Sequence, residues 1–117
     1  MKLNEDNFNL LIQSVSELSG MIGENQFETK SVSLLCLQMN YGIRFFEKTM
    51  VQFSKYVSDH DSSDIKFRDL SAIIDNNLPK DSLISPIVRF QIISGFANNY
   101  FSELIPIVND MQQNIAS

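Results

Sequence analysis

Leu35, Met39, Ile43, Phe46, Met50, Phe53 and Val57 follow one another at spacings of four, four, three, four, three and four residues. No other feature of the chain constrains its fold as strongly. At about 100° per residue these side chains fall on one stripe of a helix, whereas a strand would scatter them over both faces. Lys30, Arg44, Lys48 and Lys55 gather within about 40° of each other on the opposite side. Apolar and cationic groups thus sort by the same period, and one long helix is predicted from about Lys30 to Val57.

The segments on either side follow the same period. From about Asn4 to Ser19, Phe8, Leu11, Ile12, Val15, Leu18 and the following Ile22 form one stripe. Asn4 or Asp6 is the expected cap, and Gly20 and Gly23 end the segment. A third helix is expected over Asp64 to Asn77, capped by Ser62 or Ser63, with Phe67, Leu70, Ile74 and Leu78 as its buried line. Pro79 stops it, because the residue before a proline disfavours helical geometry. Ser85-Pro86 is an N-cap followed by a first-turn proline, opening a last helix that runs to at least Leu104. Val108, Met111 and Ile115 continue the stripe of Phe90, Ile93, Ala97 and Leu104, so this helix is expected to kink at Pro106. No segment alternates like a half-buried strand. The expected fold is all-α: one domain over residues 1–117, an antiparallel bundle of four main helices.

Composition narrows the function classes. Among 117 residues, 9 Lys+Arg against 14 Asp+Glu give a formal charge of -5. That balance argues against a general nucleic-acid binder, whose phosphate affinity comes from clustered cations. Hydrophobic residues make up 44% of the chain, too many for a disordered acidic tail. No stretch approaches the roughly 18 apolar residues of a membrane span. The early apolar run Leu10 to Ile12 is too short for a secretory signal, and the lone Cys36 suits a reducing compartment. A cytoplasmic location is the expectation.

Catalytic and metal constellations are sparse. The hinge Asp59-His60-Asp61-Ser62-Ser63-Asp64 has the acid content of a calcium loop, but an EF-hand reading from Asp59 puts Asp64 where glycine belongs and Leu70 at the bidentate position. His60 stands without the additional His or Cys that zinc sites use. Cys36 lacks a nearby base in sequence, and no glycine-rich phosphate loop is present. The chain therefore reads as neither an enzyme nor a metal or cofactor protein. The run Ile43-Arg44-Phe45-Phe46-Glu47-Lys48 resembles a stretch in flagellar export chaperones, helical bundles that hold unassembled filament subunits. Six residues of generic helical pattern carry no residue's role across.

Surplus apolar surface carries the functional expectation. Leu34, Leu37, Tyr41 and Phe45 form a second line on the predicted second helix, nearly opposite its main seam. The last helix has a further line including Phe96 and Tyr100. Its remaining face, with Gln91, Gly95, Asn98, Asn99, Ser102, Asn109 and Gln113, is polar but uncharged and so inexpensive to desolvate. Apolar surface beyond what a bundle needs marks a binding face. Leu34, Leu37, Tyr41, Phe45, Phe96 and Tyr100 are accordingly the expected partner-binding residues of a small protein-binding module. It would be a chaperone, adaptor or inhibitor/immunity-type protein that occludes a partner's surface, with homodimerisation as the default for the surplus. The acidic balance would steer a basic partner. Two rival readings are a nucleic-acid accessory factor using Lys30, Arg44, Lys48 and Lys55, and a carrier of a small apolar ligand.

Overall fold

A computed structural model describes residues 3–25 and 28–116, apart from the side chains of 115 and 116, so that of Ile115 lies outside the description. Every regular element among the described residues is helical. Six α-helices follow in order: α1 (Glu5–Met21), α2 (Val32–Gln38), α3 (Gly42–Asp59), α4 (Phe67–Asn77), α5 (Pro86–Asn99) and α6 (Ile105–Ala116). Short 3-10 turns at Ser62–Asp64 and Ser102–Leu104 precede α4 and α6.

Several ends obey the expected chemistry. Asn4 caps α1, its side chain accepting from the Asn7 amide at 2.9 Å, and Glu5 and Asp6 complement the helix dipole. Ser85 caps α5 by accepting from the Val88 amide, with Pro86 in the first turn. Helix α4 stops at Asn77, and Leu78 is extended ahead of Pro79.

The expected second helix is two helices. At its break, Asn40 takes a left-handed φ of 60°, the Tyr41 amide reaches back to the Cys36 carbonyl at 3.0 Å, and the Asn40 amide reaches the Leu37 carbonyl at 3.1 Å. These paired bonds are a Schellman stop, for which asparagine in the left-handed region is suited. Gly42 follows at φ 85°, a conformation that side-chain-bearing residues rarely adopt. The break resets the helical phase. Ile43, placed on the main seam by a continuous helix, is 68% exposed, whereas Phe45 and Thr49, off that seam, are buried with Phe53, and Phe46, Met50 and Val57 pack against the core at its edge.

The last helix also divides, but not at Pro106. Helix α5 ends at Asn99, and Pro106 is the second residue of α6, where a first-turn amide has no intrahelical partner to lose. Breaking at Tyr100 and Phe101 turns Phe101 back towards Phe96 and Phe53, with ring centroids 6.2 and 6.3 Å apart, and buries Leu104 completely. The four-helix bundle with a proline kink thus gives way to six shorter helices.

Helix α5 is the centre of the core. Ile92 through Ala97 are buried on every side, and Phe90 sits beneath them. α5 packs against α2, α4 and α6, while α3 packs against α2 and α4. Burying its Phe and Ile side chains contributes roughly 1.5–3 kcal/mol each. The approach of α2 is close enough that a Cβ on Gly95 would lie 2.7 Å from Val32 Cβ and 2.9 Å from Thr29 Cγ2.

Polar groups fasten the layers. Asn99 clamps the entry to α2, donating to the Lys30 carbonyl at 2.8 Å and accepting from the Val32 amide at 2.9 Å. Asn98 donates to the Thr29 carbonyl at 2.8 Å, and the Thr29 amide donates to Ser94 Oγ at 3.3 Å. The uncharged polar face read from the sequence as a docking surface is thus partly spent inside the chain, holding residues 29–32. Tyr56 joins α3 to α4, donating to Asp69 at 2.8 Å and accepting from the Lys66 amide at 3.0 Å.

Helix α1 stands apart. Among the described residues it alone of the six helices shares no extended packed interface with another. Its edge of Ile12, Ser16 and Ser19 faces inward, with Gln38 donating to Ser16 Oγ at 3.0 Å. The Glu24 carboxylate accepts from Ser19 Oγ at 3.1 Å and from the Lys30 amide, tying the end of α1 to the start of α2.

Candidate functional site

Four of the six expected partner-binding residues are core. Leu34, Tyr41, Phe45 and Phe96 are between 0% and 5% exposed. For Tyr41 and Phe45 the physical reason is the break at Asn40. A straight helix would point Tyr41 and Phe45 away from the seam, but the turn swings them under the bundle, where their rings meet at 5.1 Å. The Tyr41 hydroxyl donates to the Leu83 carbonyl at 3.2 Å, and burial pushes its pKa up. Phe96 lies within 5.0 Å of Phe53 and 5.7 Å of Phe46, centroid to centroid. Leu34 is buried apart from the main core cluster, on the edge of α2 that carries Gln38, the residue bonded to α1. None of these four can anchor a partner while the chain stays folded.

The remaining two come together. Leu37 (44% exposed) and Tyr100 (52% exposed) flank Phe46: Leu37 shares a cleft wall with it, and the Tyr100 ring meets it edge-on at 6.1 Å. The cleft lies between α2 and α3, holds about 280 Å³ and opens to solvent. Leu37, Ile43 and Phe46 form its apolar walls, Cys36 contributes from the buried side, and the Asn40–Gly42 corner closes one end. Sequence spacing missed Ile43 and Phe46 as site residues, because both sit on the seam of a continuous helix. The missed signal was Asn40 with Gly42 two residues on, each tolerant of left-handed backbone.

The electrostatics of this corner are cationic. A neighbouring depression shares Gly42 and Ile43 and adds Arg44 and Lys48. Arg44, Lys48 and Lys55 form no ion pair among the described residues, whereas Lys30 lies outside α2 and pairs with Glu28 at 2.7 Å. The predicted basic stripe is therefore shortened to three cations on α3. Burial holds the Cys36 thiol up at about 12, so it stays protonated at neutral pH. The His60 ring stacks on Tyr56 with centroids 4.0 Å apart, and its Nδ1 lies 2.8 Å from the Tyr56 carbonyl. Among the described residues no cluster of three His, Cys, Asp or Glu side chains could hold a metal ion, and no helix is long and apolar enough to cross a membrane.

No protein-family model, curated protein or solved structure matches the chain.

Proposed function

We propose that this chain is a small intracellular protein-binding module, of the chaperone, adaptor or inhibitor kind, that occludes a partner by seating one of its apolar side chains in the α2–α3 cleft. The observation that carries the reading is the cleft itself: apolar walls of Leu37, Ile43 and Phe46, with half-exposed Tyr100 against Phe46. A concave apolar pocket beside an aromatic is the usual setting of a binding hot spot. At about 280 Å³ and open to solvent, it suits a single Leu, Met or Phe side chain better than an enclosed small molecule. Arg44 and Lys48 beside it favour carboxylates flanking that anchor. The expectation of a basic partner came from net charge, and the local charge at this corner is opposite. No catalytic role enters the proposal.

The test substitutes Ile43→Asp. An aspartate in the first turn of α3 favours the helix dipole and replaces an exposed side chain, so the fold should keep its thermal midpoint. Wild type should bind a partner identified by affinity capture and purified for direct titration. Ile43→Asp should lose at least about tenfold in affinity, and Leu83→Asp, an exposed apolar control elsewhere, should lose none. Equal affinity of Ile43→Asp and wild type would overturn the assignment. So would apolar small-molecule density filling the cleft in the purified protein.

A further inference from the structure

Helix α1 carries the largest uncovered apolar surface described here, and its pattern names what covers it. Phe8, Leu11, Val15, Leu18 and Ile22 recur at spacings of three, four, three and four, the a and d positions of a heptad. In an isolated chain such a seam should lie against the bundle, but all five are between 37% and 67% exposed. The inward edge of α1 is instead Ile12 with Ser16 and Ser19, to one side of the seam. Leu10 and Met21 extend the bare surface on the other side. Together the seam and its neighbour Met21 present apolar surface on the order of 600 Å². That is at the upper end of what monomers commonly leave bare and approaches the roughly 800 Å² per partner of a standard stable interface.

We infer that α1 pairs with α1 of a second copy, antiparallel about a two-fold axis. Antiparallel heptad packing places a positions against d positions, which sets the layers Leu11 on Ile22 of the second copy and Val15 on its Leu18. The two-fold repeats both layers. The seam is self-complementary, with Leu facing a β-branched residue in every layer. The second copy is favoured by this self-complementarity, and the positions flanking the layers (Ile12, Ser14, Ser19 and Met21) are uncharged, so they supply none of the pairs that would select a different helix. The carboxylates of α1, Glu5, Asp6 and Glu17, lie off the seam, and α1 has no cation. Pairing two such helices still brings six negative charges into one region. Association must therefore strengthen with salt, opposite in sign to the cation-assisted docking proposed for the cleft.

The experiment is sedimentation of the full chain from roughly 1 to 100 µM at low and high salt, with two variants. Wild type should pass from monomer to dimer, with a dissociation constant a few-fold lower at about 0.5 M than at about 0.05 M salt. Val15→Glu and Leu18→Lys, each at a surface position of the single chain, should be monomeric alone and keep their helicity. Mixed in equal amounts they should regain a dimer, because the carboxylate introduced at position 15 of one chain then meets the ammonium introduced at position 18 of the other, while the second layer keeps Leu on Val. Parallel pairing would set 15 on 15 and 18 on 18 and give no recovery. A monomeric wild type, variants that still dimerise, or a mixture that stays monomeric would each overturn the inference. None of these outcomes touches Ile43 or the cleft, so failure here leaves the proposed function to its own test.

Discussion

Gly95 shows how much of this structure turns on single atoms. It lies on α5 where the segment entering α2 crosses, and a methyl group there would press on Val32 Cβ, Thr29 Cγ2 and the Val32 backbone. Backbone cannot swing aside as a side-chain tip can, so Gly95→Ala must push α2 off α5. The expected cost is about 1–3 kcal/mol, a fall in thermal midpoint of several degrees. Gly20→Ala is the control: nothing lies within 4 Å of its Cβ and its backbone is helical, so propensity alone acts and stability rises by up to about 1 kcal/mol. Thermal unfolding of the two variants checks the pair, and equal midpoints would contradict the close α2–α5 crossing. Neither role was legible in the sequence. Gly95, Asn98 and Asn99 stand on a polar helical face that spacing alone marks as available, because their partners at residues 29–32 are more than sixty positions away. Local patterns name the face; only the fold names what lies on it.

At the scale of elements, the legible features were those written in neighbouring residues. The caps Asn4 and Ser85, the stop before Pro79 and the buried lines of α4 and α5 all depend on groups within four positions of each other. The breaks at Asn40 and Tyr100 were hidden for the opposite reason. A run of correctly spaced apolar residues continues through each, and continuity outweighed a single left-handed asparagine. Because the α2–α3 corner shapes the cleft, its backbone is open to a direct test. Gly42→Ala places a side chain at φ 85° and should destabilise the protein by about 1–2 kcal/mol, although its Cβ would meet nothing. Asn40→Gly relaxes a left-handed residue and should be close to neutral. Denaturant titration distinguishes strain from packing here, since the cost at Gly42 should be equal for Ala and Ser. Neutral behaviour of Gly42→Ala would mean that the corner is not held in this conformation.

The whole molecule is elongated, 47 × 30 × 24 Å, because α2 to α6 complete a core that leaves α1 only an edge. Sequence reasoning expected surplus apolar surface on the second and last helices: Leu34, Tyr41 and Phe45 are buried, Leu37 keeps part of the expected surface at the cleft, and the ordinary-looking stripe of α1 stays bare. Periodicity measures how apolar a face is, not whether the bundle has room for it. This division predicts two levels of stability in one chain. Amides of α5 from Ile92 to Ala97, enclosed on all sides, should exchange with solvent deuterium only through global unfolding. Those of α1, held by the Ser16–Gln38 bond, the Glu24 bracket and the single apolar side chain of Ile12 on its inward edge, should open locally and exchange far sooner. In dilute protein, about 1 µM, the gap should be close to the same for wild type and Leu18→Lys, since Leu18 is mostly exposed and makes neither the Ser16–Gln38 nor the Ser19–Glu24 bond. At high concentration the wild-type α1 amides alone should slow towards those of α5, because a paired seam must separate before the helix can open. Exchange of α1 and α5 in step at low concentration would show that the bundle holds α1 as firmly as its core, and the bare seam would then need a different explanation.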